Sequence, residues 1–365
     1  MIATICTFLL GGLLLVDPIA HLSNVEPPIY RAEIKERYIS VDSVCAWPNL
    51  TMLGDSTIIA TIFNKPSHGL VEGDVECWAS KDGTDWKKHG TPALHDATAT
   101  TRTNVAAGLT KHGDLLVLSS GWLLKPAEAP NPSRGAIIKA WISRSSDGGK
   151  TWTVDKHSFP PAEKGRTEYI PFGDIFIADD GSLRTTCYSI TRDRREDKVT
   201  LFRSDDDGYT WKKMVDIIEQ HNETALFRVK DNVWLAAARS STEAHVNLFR
   251  SEDDGYTWQK IRAITELRQI PAHIMLLKGG QLLLTYGNRN AGRFGIKAKV
   301  SDDNGITWSQ EITLIDDLSS GDSGYPSSVQ LASGEIVTAY YAAGTTAHHR
   351  YHMGTVKWIL EKAEK

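Results

Sequence analysis

The side chains of this chain that could do chemistry stand at turns and at the ends of apolar runs. Arg239 closes the run Val233–Ala238, where a charge is either a solvated rim residue or a group facing a site. Tyr325 stands in Gly324-Tyr325-Pro326-Ser327, either packing ahead of a strand or serving as a functional phenol. A phenol titrates near 10 and is a poor nucleophile at neutral pH. It would need a carboxylate to take its proton and arginines to stabilise the phenolate. Glu223, next to Asn222, is either part of a turn or such a carboxylate. His68 lies in a loop; an imidazole with its ordinary pKa near 6.5 can pass protons, although a lone loop His is usually just solvated. Arg102 and Asn104 precede a strand-like run and could reach a site, as could His273, Tyr188 and the pair Glu168-Tyr169, which read as wall residues. His348, His349 and His352 could hold a metal, but a solvated loop is the simpler reading.

These residues must be positioned by a repeat. Ser145-Ser-Asp147-Gly-Gly149-Lys-Thr151-Trp152 recurs at Ser204–Trp211, Ser251–Trp258 and Ser301–Trp308, with a shortened copy at Ser80–Trp86. The Trp-to-Trp intervals are 66, 59, 47 and 50 residues, the span of one four-stranded blade with its loops. In each copy the Asp can accept N–H groups of its own turn, the Gly can take a positive φ, and the Trp opens the return strand. The motif therefore builds hairpins. A calcium loop is the sharper alternative, but the ligand spacing and terminal Glu of an EF-hand are missing. Hairpin signals at Gly54-Asp55, Gly113, Gly181, Asp231-Asn232, Gly280 and Gly334 alternate with these copies. Together they predict an all-β, six-bladed β-propeller with Asp-box hairpins. Its last blade would be completed by an N-terminal strand around Tyr38–Val41, closing the ring and removing free edges.

The net charge of −4 with 24% charged residues implies no basic surface for nucleic acid. Residues 2–16 are apolar but too short and Gly-interrupted for a stable membrane span. They read as a secretory signal with an atypical n-region, so residues 1–20 are expected to be a signal peptide and 21–365 a single propeller domain, secreted or periplasmic. Beyond Cys6 three cysteines remain, an odd number, leaving at most one bridge open, with Cys45–Cys77 the first choice. No zinc spacing and no cofactor motif is present, so neither metal nor cofactor is expected.

At these Asp boxes and strand ends the chain resembles the sialidase (neuraminidase) superfamily of Asp-box, BNR-repeat propellers, as a divergent member, from about residue 38 onward. The resemblance implies a Tyr nucleophile activated by a Glu, arginines that bind the substrate carboxylate, and an acid/base on the first blade. Sialidases are an exception among glycosidases in using Tyr. Asn222-Glu223-Thr224, followed by Ala238-Arg239-Ser240, implies Glu223 as activator and Arg239 as a carboxylate ligand. Tyr286-Gly-Asn-Arg289-Asn-Ala-Gly-Arg293 offers Arg293 or Arg289 as another, and the segment from Gly324 implies Tyr325 as nucleophile.

The first blade departs from the pattern. Sialidases open it with Tyr-Arg-Ile-Pro; here Cys45-Ala46-Trp47-Pro48 lacks the Arg, and Trp47 could stack on a sugar instead. Between Asn64 and Glu76 no Asp falls at the family's acid/base place; His68 is nearest, with Asp74 next. The expectation is an exo-acting glycoside hydrolase with changed specificity, taking a terminal, acidic sugar of a glycan or oligosaccharide. Two other classes stay open: a non-catalytic carbohydrate-binding propeller, and a polysaccharide lyase in which His68 and Tyr325 abstract a proton while Arg239 neutralises a uronate.

Overall fold

The computed structural model describes residues 28–125, 134–193 and 195–363. The expected signal peptide lies outside the described residues. The described chain is all β, with these strands in order: β1 (Tyr30–Asp42), β2 (Ala46–Met52), β3 (Ile58–Phe63), β4 (Val75–Ser80), β5 (Lys87–Ala93), β6 (Thr100–Leu109), β7 (Leu115–Leu124), β8 (Arg134–Ser145), β9 (Thr153–Asp155), β10 (Ile170–Ile177), β11 (Leu183–Ile190), β12 (Asp197–Ser204), β13 (Lys212–Glu219), β14 (His221–Lys230), β15 (Val233–Ser240), β16 (Val246–Ser251), β17 (Gln259–Ala263), β18 (Gln269–Leu276), β19 (Leu282–Asn288), β20 (Gly295–Ser301), β21 (Ile312–Ile315), β22 (Ser323–Gln330), β23 (Ile336–Ala342) and β24 (His352–Lys362).

Strands β2–β5, β14–β17 and β18–β21 form antiparallel up-and-down sheets. Strands β6–β9 and β10–β13 run the same way but merge into one sheet, because Gly173, Asp174 and Ile175 leave β11 and pair in parallel with Ala106, Ala107 and Gly108. The last sheet joins both ends of the described chain: β22–β24 are completed by β1, whose Tyr30 faces Lys362 and whose Asp42 faces His352. This N-terminal strand begins at Tyr30, well before the expected Tyr38, and it covers the edge of β24 that would otherwise be free. The first strands of successive sheets are neighbours, and β22 lies against β2. An all-β architecture of this kind fits a β-propeller.

The apolar cores lie between neighbouring sheets. Ile336, Val356 and Trp358 of the last sheet pack with Leu283, Ile296 and Val300. On the other side of that sheet Val337, Tyr341 and Met353 pack with Ile58 and Phe63. Strand residues point alternately to the two faces, so one sheet serves two cores.

The Asp boxes connect these layers. In the four full copies Ser donates to the first carboxylate oxygen of Asp147, Asp206, Asp253 or Asp303, and the Thr backbone N–H and hydroxyl complete the cage. The Trp indole donates to the box Gly carbonyl in the copies at Trp86, Trp152, Trp258 and Trp308. The box glycine has two reasons to be Gly. Gly255 sits at φ 86°, and a Cβ there would come 2.8 Å from Leu201 of the preceding sheet. Gly305 meets Leu235, and Gly83 of the short copy meets Val337, in the same way. The boxes thus dock each sheet on the one before it.

Cys45, Cys77 and Cys187 are all free and buried, so the open Cys45–Cys77 bridge is not formed. They pack in different apolar clusters, where a thiol behaves as a small hydrophobe.

Candidate active site

Among the described residues β2, β6, β10, β14, β18 and β22 are each interrupted near the N-terminal end. Pairing slips between Ala46 and Asn49 in β2, Arg102 and Asn104 in β6, Phe172 and Phe176 in β10, His221 and Thr224 in β14, Gln269 and Ala272 in β18, and Gly324 and Ser327 in β22. A bulge frees a residue from the ladder and re-aims its side chain. Trp47, Thr103, Glu223 and Tyr325 are residues skipped in this way, and all four line one well, together with Gly173, which leaves β11 to pair with Ala106. The enclosed part of the well measures about 70 Å³, smaller than the several hundred Å³ typical of a ligand pocket. Trp47 and Tyr325 hold positive φ values of 45° and 50°. Each such non-Gly residue costs on the order of 1–3 kcal/mol, a strain that clusters at functional sites.

Tyr325 and Glu223 meet in the well. The Tyr325 hydroxyl donates to Glu223 Oε1, and Arg239 Nη1 donates to Glu223 Oε2 at 2.5 Å. Arg239 Nη1 also lies 3.5 Å from the Tyr325 oxygen, and the Arg289 guanidinium lies 5.5 Å from the Tyr325 ring centroid. Burial raises the Tyr325 phenol far above its ordinary range, and the Glu223 charge adds to this, while the two arginines partly offset it. Burial alone would raise Glu223 as well, but Arg239, the Tyr325 hydroxyl and Arg289 outweigh it and hold the carboxyl below its usual range. The resting pair is therefore a neutral phenol hydrogen-bonded to a carboxylate. Any nucleophilic attack by Tyr325 must hand its proton to Glu223 as the bond forms.

His68 also lines the well, with its ring edge-on to Trp47 at 4.9 Å between centroids. Its Nδ1 is 2.9 Å from Asp322 Oδ1, leaving Nε2 as the nitrogen that can exchange a proton with a ligand. Asp322 accepts in addition from the hydroxyls of Tyr341 and Tyr351. Burial works to raise the Asp322 carboxyl, but His68 and the two phenols hold it well below the usual carboxylate range. Sequence reading missed Asp322, although it stands three residues before Tyr325.

Other expectations are redirected. Asp74, second to His68 as acid/base, accepts from the backbone and ring of His95, at 2.8 and 2.6 Å, and does not line the well. Arg102 is buried and turned away: its guanidinium stacks 3.5 Å from the Trp141 ring centroid and donates to the carbonyls of Lys139 and Ser119. The bulge after Arg102 gives the well Thr103 and Asn104 instead. Of the alternatives Arg289 and Arg293, only Arg289 stands beside Tyr325. Arg293 ends a tight turn from Asn290 and lines a separate depression with Glu266 and Glu311. Trp47 lies in the well, yet its ring is stacked on Phe63 and flanked by His68 and Tyr341, so protein takes up much of its surface. His273 and Tyr188 are wall residues, and His273 Nε2 pairs with Asp174 at 3.1 Å, an aspartate that also accepts from Asn49. The His348–His352 stretch is occupied internally: His348 pairs with Asp42, and His352 with the Arg350 carbonyl.

Arg134, at the start of β8, also faces the well and was not anticipated. Nothing in its own segment marks it; only the fold brings this strand start beside the His68 loop, where its Cδ is 3.8 Å from the position a Gly69 Cβ would take.

The BNR repeat-like domain family matches residues 71–338, more than half of the chain. No curated protein matches. Among solved structures, the chain is similar to a protein of unknown function from Dyadobacter fermentans DSM 18053, with 21% identity, a TM-score of 0.74, and coverage of 91% of this chain and 99% of that one. It is also similar to the Hadza microbial sialidase Hz136, at 18% identity and TM-score 0.67, over 87% of this chain and 65% of that one. A Trypanosoma rangeli sialidase in complex with 2,3-difluoro-KDN follows at 15% identity and TM-score 0.63, over 88% of this chain and 54% of that one. At these identities the likeness is one of fold, and the chain spans about half to two thirds of the sialidases' length.

Proposed function

The chain belongs to the BNR repeat-like domain family and to the sialidase-like superfamily, and on that premise we propose that it is a secreted, six-bladed, exo-acting glycoside hydrolase for a terminal acidic sugar. The single observation that carries the reading is the Tyr325–Glu223 pair in the well, with Arg239 bound to the second oxygen of Glu223. In the proposed reaction Tyr325 Oη attacks the anomeric carbon while its proton passes to Glu223 Oε1. The glycosidic bond breaks, and protonated His68 gives a proton from Nε2 to the leaving oxygen. Water then attacks the glycosyl-tyrosine, surrendering a proton to His68, and Glu223 returns its own proton to Tyr325. Arg239 and Arg289 stabilise the charge that develops on the phenol oxygen.

The test is turnover of a panel of aryl glycosides and acidic oligosaccharides, with a fluorinated aryl glycoside of the best substrate to trap the intermediate. The expected result is a mass adduct on the Tyr325 peptide, absent in Tyr325→Phe. Turnover unaffected by Tyr325→Phe would overturn the reading.

A second reading is favoured by one observation, His68 lining the same well with Asp322 behind it on Nδ1. In a polysaccharide lyase, His68 or Tyr325 would abstract the proton beside a uronate. A product absorbing in the ultraviolet through its new double bond would select this alternative. A carbohydrate-binding module would release no product and would keep its affinity in Tyr325→Phe.

A further inference from the structure

Arg134 lines the well and also a groove of about 790 Å³ that leads away from it over the β7–β8 and β10–β11 side. Among the described residues three further cations line that groove, Lys125, Arg166 and Arg192, with one carboxylate, Glu168; Arg192 also lines a neighbouring depression with Asp193 and Glu196. The three cations come from separate points of the chain: the end of β7, the segment before β10, and the turn after β11. A protein with net charge −4 thus concentrates positive charge beside its candidate active site.

Among the described residues the direct contacts of these cations are with uncharged groups, and the Asp197 carboxylate feels Arg166 without an ion pair. Arg166 is held by Ser189 Oγ at 2.8 Å and by the carbonyls of Ser189 and Glu196 at 2.7 and 3.1 Å, all uncharged acceptors. Arg134 rests on the Trp122 ring, 4.9 Å from its centroid. Among the described residues none of the four makes an ion pair with a carboxylate, unlike Arg144, Arg203, Lys198 and Lys213 elsewhere in the structure. The other depressions are mixed or acidic: one sets Arg293 and Lys299 against Glu266 and Glu311, another sets Lys81 and Lys87 among Asp55, Asp82, Asp85 and Asp147. The well, too, is lined by a cation from outside the first sheet, since Arg134 reaches it from β8. The guanidinium fork binds carboxylate or sulfate bidentately, and a row of such groups suits a chain carrying an anion on successive units.

We infer that the groove is an extended subsite for an acidic glycan, with Arg134 binding the anionic group at the mouth of the well and Lys125, Arg166 and Arg192 binding those of the following sugars. The inference rests on the glycan reading above and narrows it from an acidic terminal sugar to an acidic chain. Carboxylate and sulfate share this chemistry, so the source of the charge is decided by the probe.

The experiment measures binding of the full-length protein by calorimetry to tetragalacturonate, to a sulfated heparin tetrasaccharide and to neutral maltotetraose, at low and at moderate salt. The expected result is binding to one or both anionic probes that weakens with salt, as exposed charges are screened, and none to the neutral one. Arg134→Ala should weaken it at least tenfold and the pair Lys125→Ala/Arg192→Ala severalfold, while Arg293→Ala, a cation outside the groove, leaves it unchanged. The exposed pair keeps the test usable if Arg134→Ala folds poorly. Equal affinity for the neutral chain, no binding to either anionic probe, or equal affinity in all variants would overturn the inference. Salt-dependent binding lost in the groove variants but without turnover would sink the hydrolase reading and leave the subsite standing; turnover without such binding would do the reverse.

Discussion

The Asp-box turns and the inner-strand bulges both interrupt a strand, and they use carboxylates in opposite ways. Asp253 is exposed and is satisfied within its own turn, by Ser251 two residues before it and Thr257 four residues after it. Glu223 is buried and takes its partners from other strands, Arg239 at a separation of 16 residues and Tyr325 at 102. A locally satisfied carboxylate shapes a hairpin and asks nothing of the rest of the fold. A carboxylate satisfied across the structure exists as a functional group only when the sheets are assembled. The same side-chain chemistry is scaffold at one end of a sheet and candidate catalyst at the other.

The sharpest way to break this contrast is Tyr325→Phe. It should lower kcat by at least about a hundredfold, the scale of removing one participant in proton transfer and attack, while costing only about 1 kcal/mol in thermal unfolding, one hydrogen bond. A melting temperature that collapses with activity would make Tyr325 structural. Glu223→Gln should come next in severity, losing turnover and, in urea unfolding, about 3 kcal/mol, because Arg239 is left without its carboxylate. Gly255→Ala probes the other region. Its positive φ and the 2.8 Å approach to Leu201 should destabilise by about 1–3 kcal/mol with kcat and KM unchanged once folded.

Asp322 gives a smaller, pH-dependent effect. Its carboxyl is held below the ordinary range in the folded state. Its contribution to stability is therefore complete above the unfolded value near 3.9 and is lost as pH falls through the folded one. Asp322→Asn should flatten the acid limb of the stability curve below about pH 4; an unchanged limb would remove Asp322 from the His68 pair. Smallest of all, Arg293→Ala should leave turnover within about twofold and stability within about 0.5 kcal/mol, as for a surface residue outside any network. A larger loss of turnover would restore Arg293 to the site.

The BNR repeat and the all-β architecture were legible in the chain because their signals are local. An Asp box is one turn whose Ser, Asp, Gly and Trp satisfy one another within eight residues, and the copies repeat. The hairpins at Gly113, Gly181, Gly280 and Gly334 all fall between first and second strands for the same reason, since a tight turn is written in consecutive residues. Even Tyr325 and Glu223 could be singled out, through the segments around them.

What lies inside the well was decided by the tertiary structure. Strand register has a period of two, so one bulged residue exchanges the face that every later side chain presents. That slip turns Arg102 toward Trp141 and gives the well Thr103 and Asn104, and no local pattern announces it. Arg289 and Arg293 are four residues apart in one loop, and only the path of that loop sets the first beside Tyr325 and the second outside. Asp322 becomes meaningful through His68, 254 residues away, and Arg134 through a neighbouring sheet. Sequence alone determined the repeat, because its bonds close within each turn. The site was decided by assembly, because its bonds close between sheets.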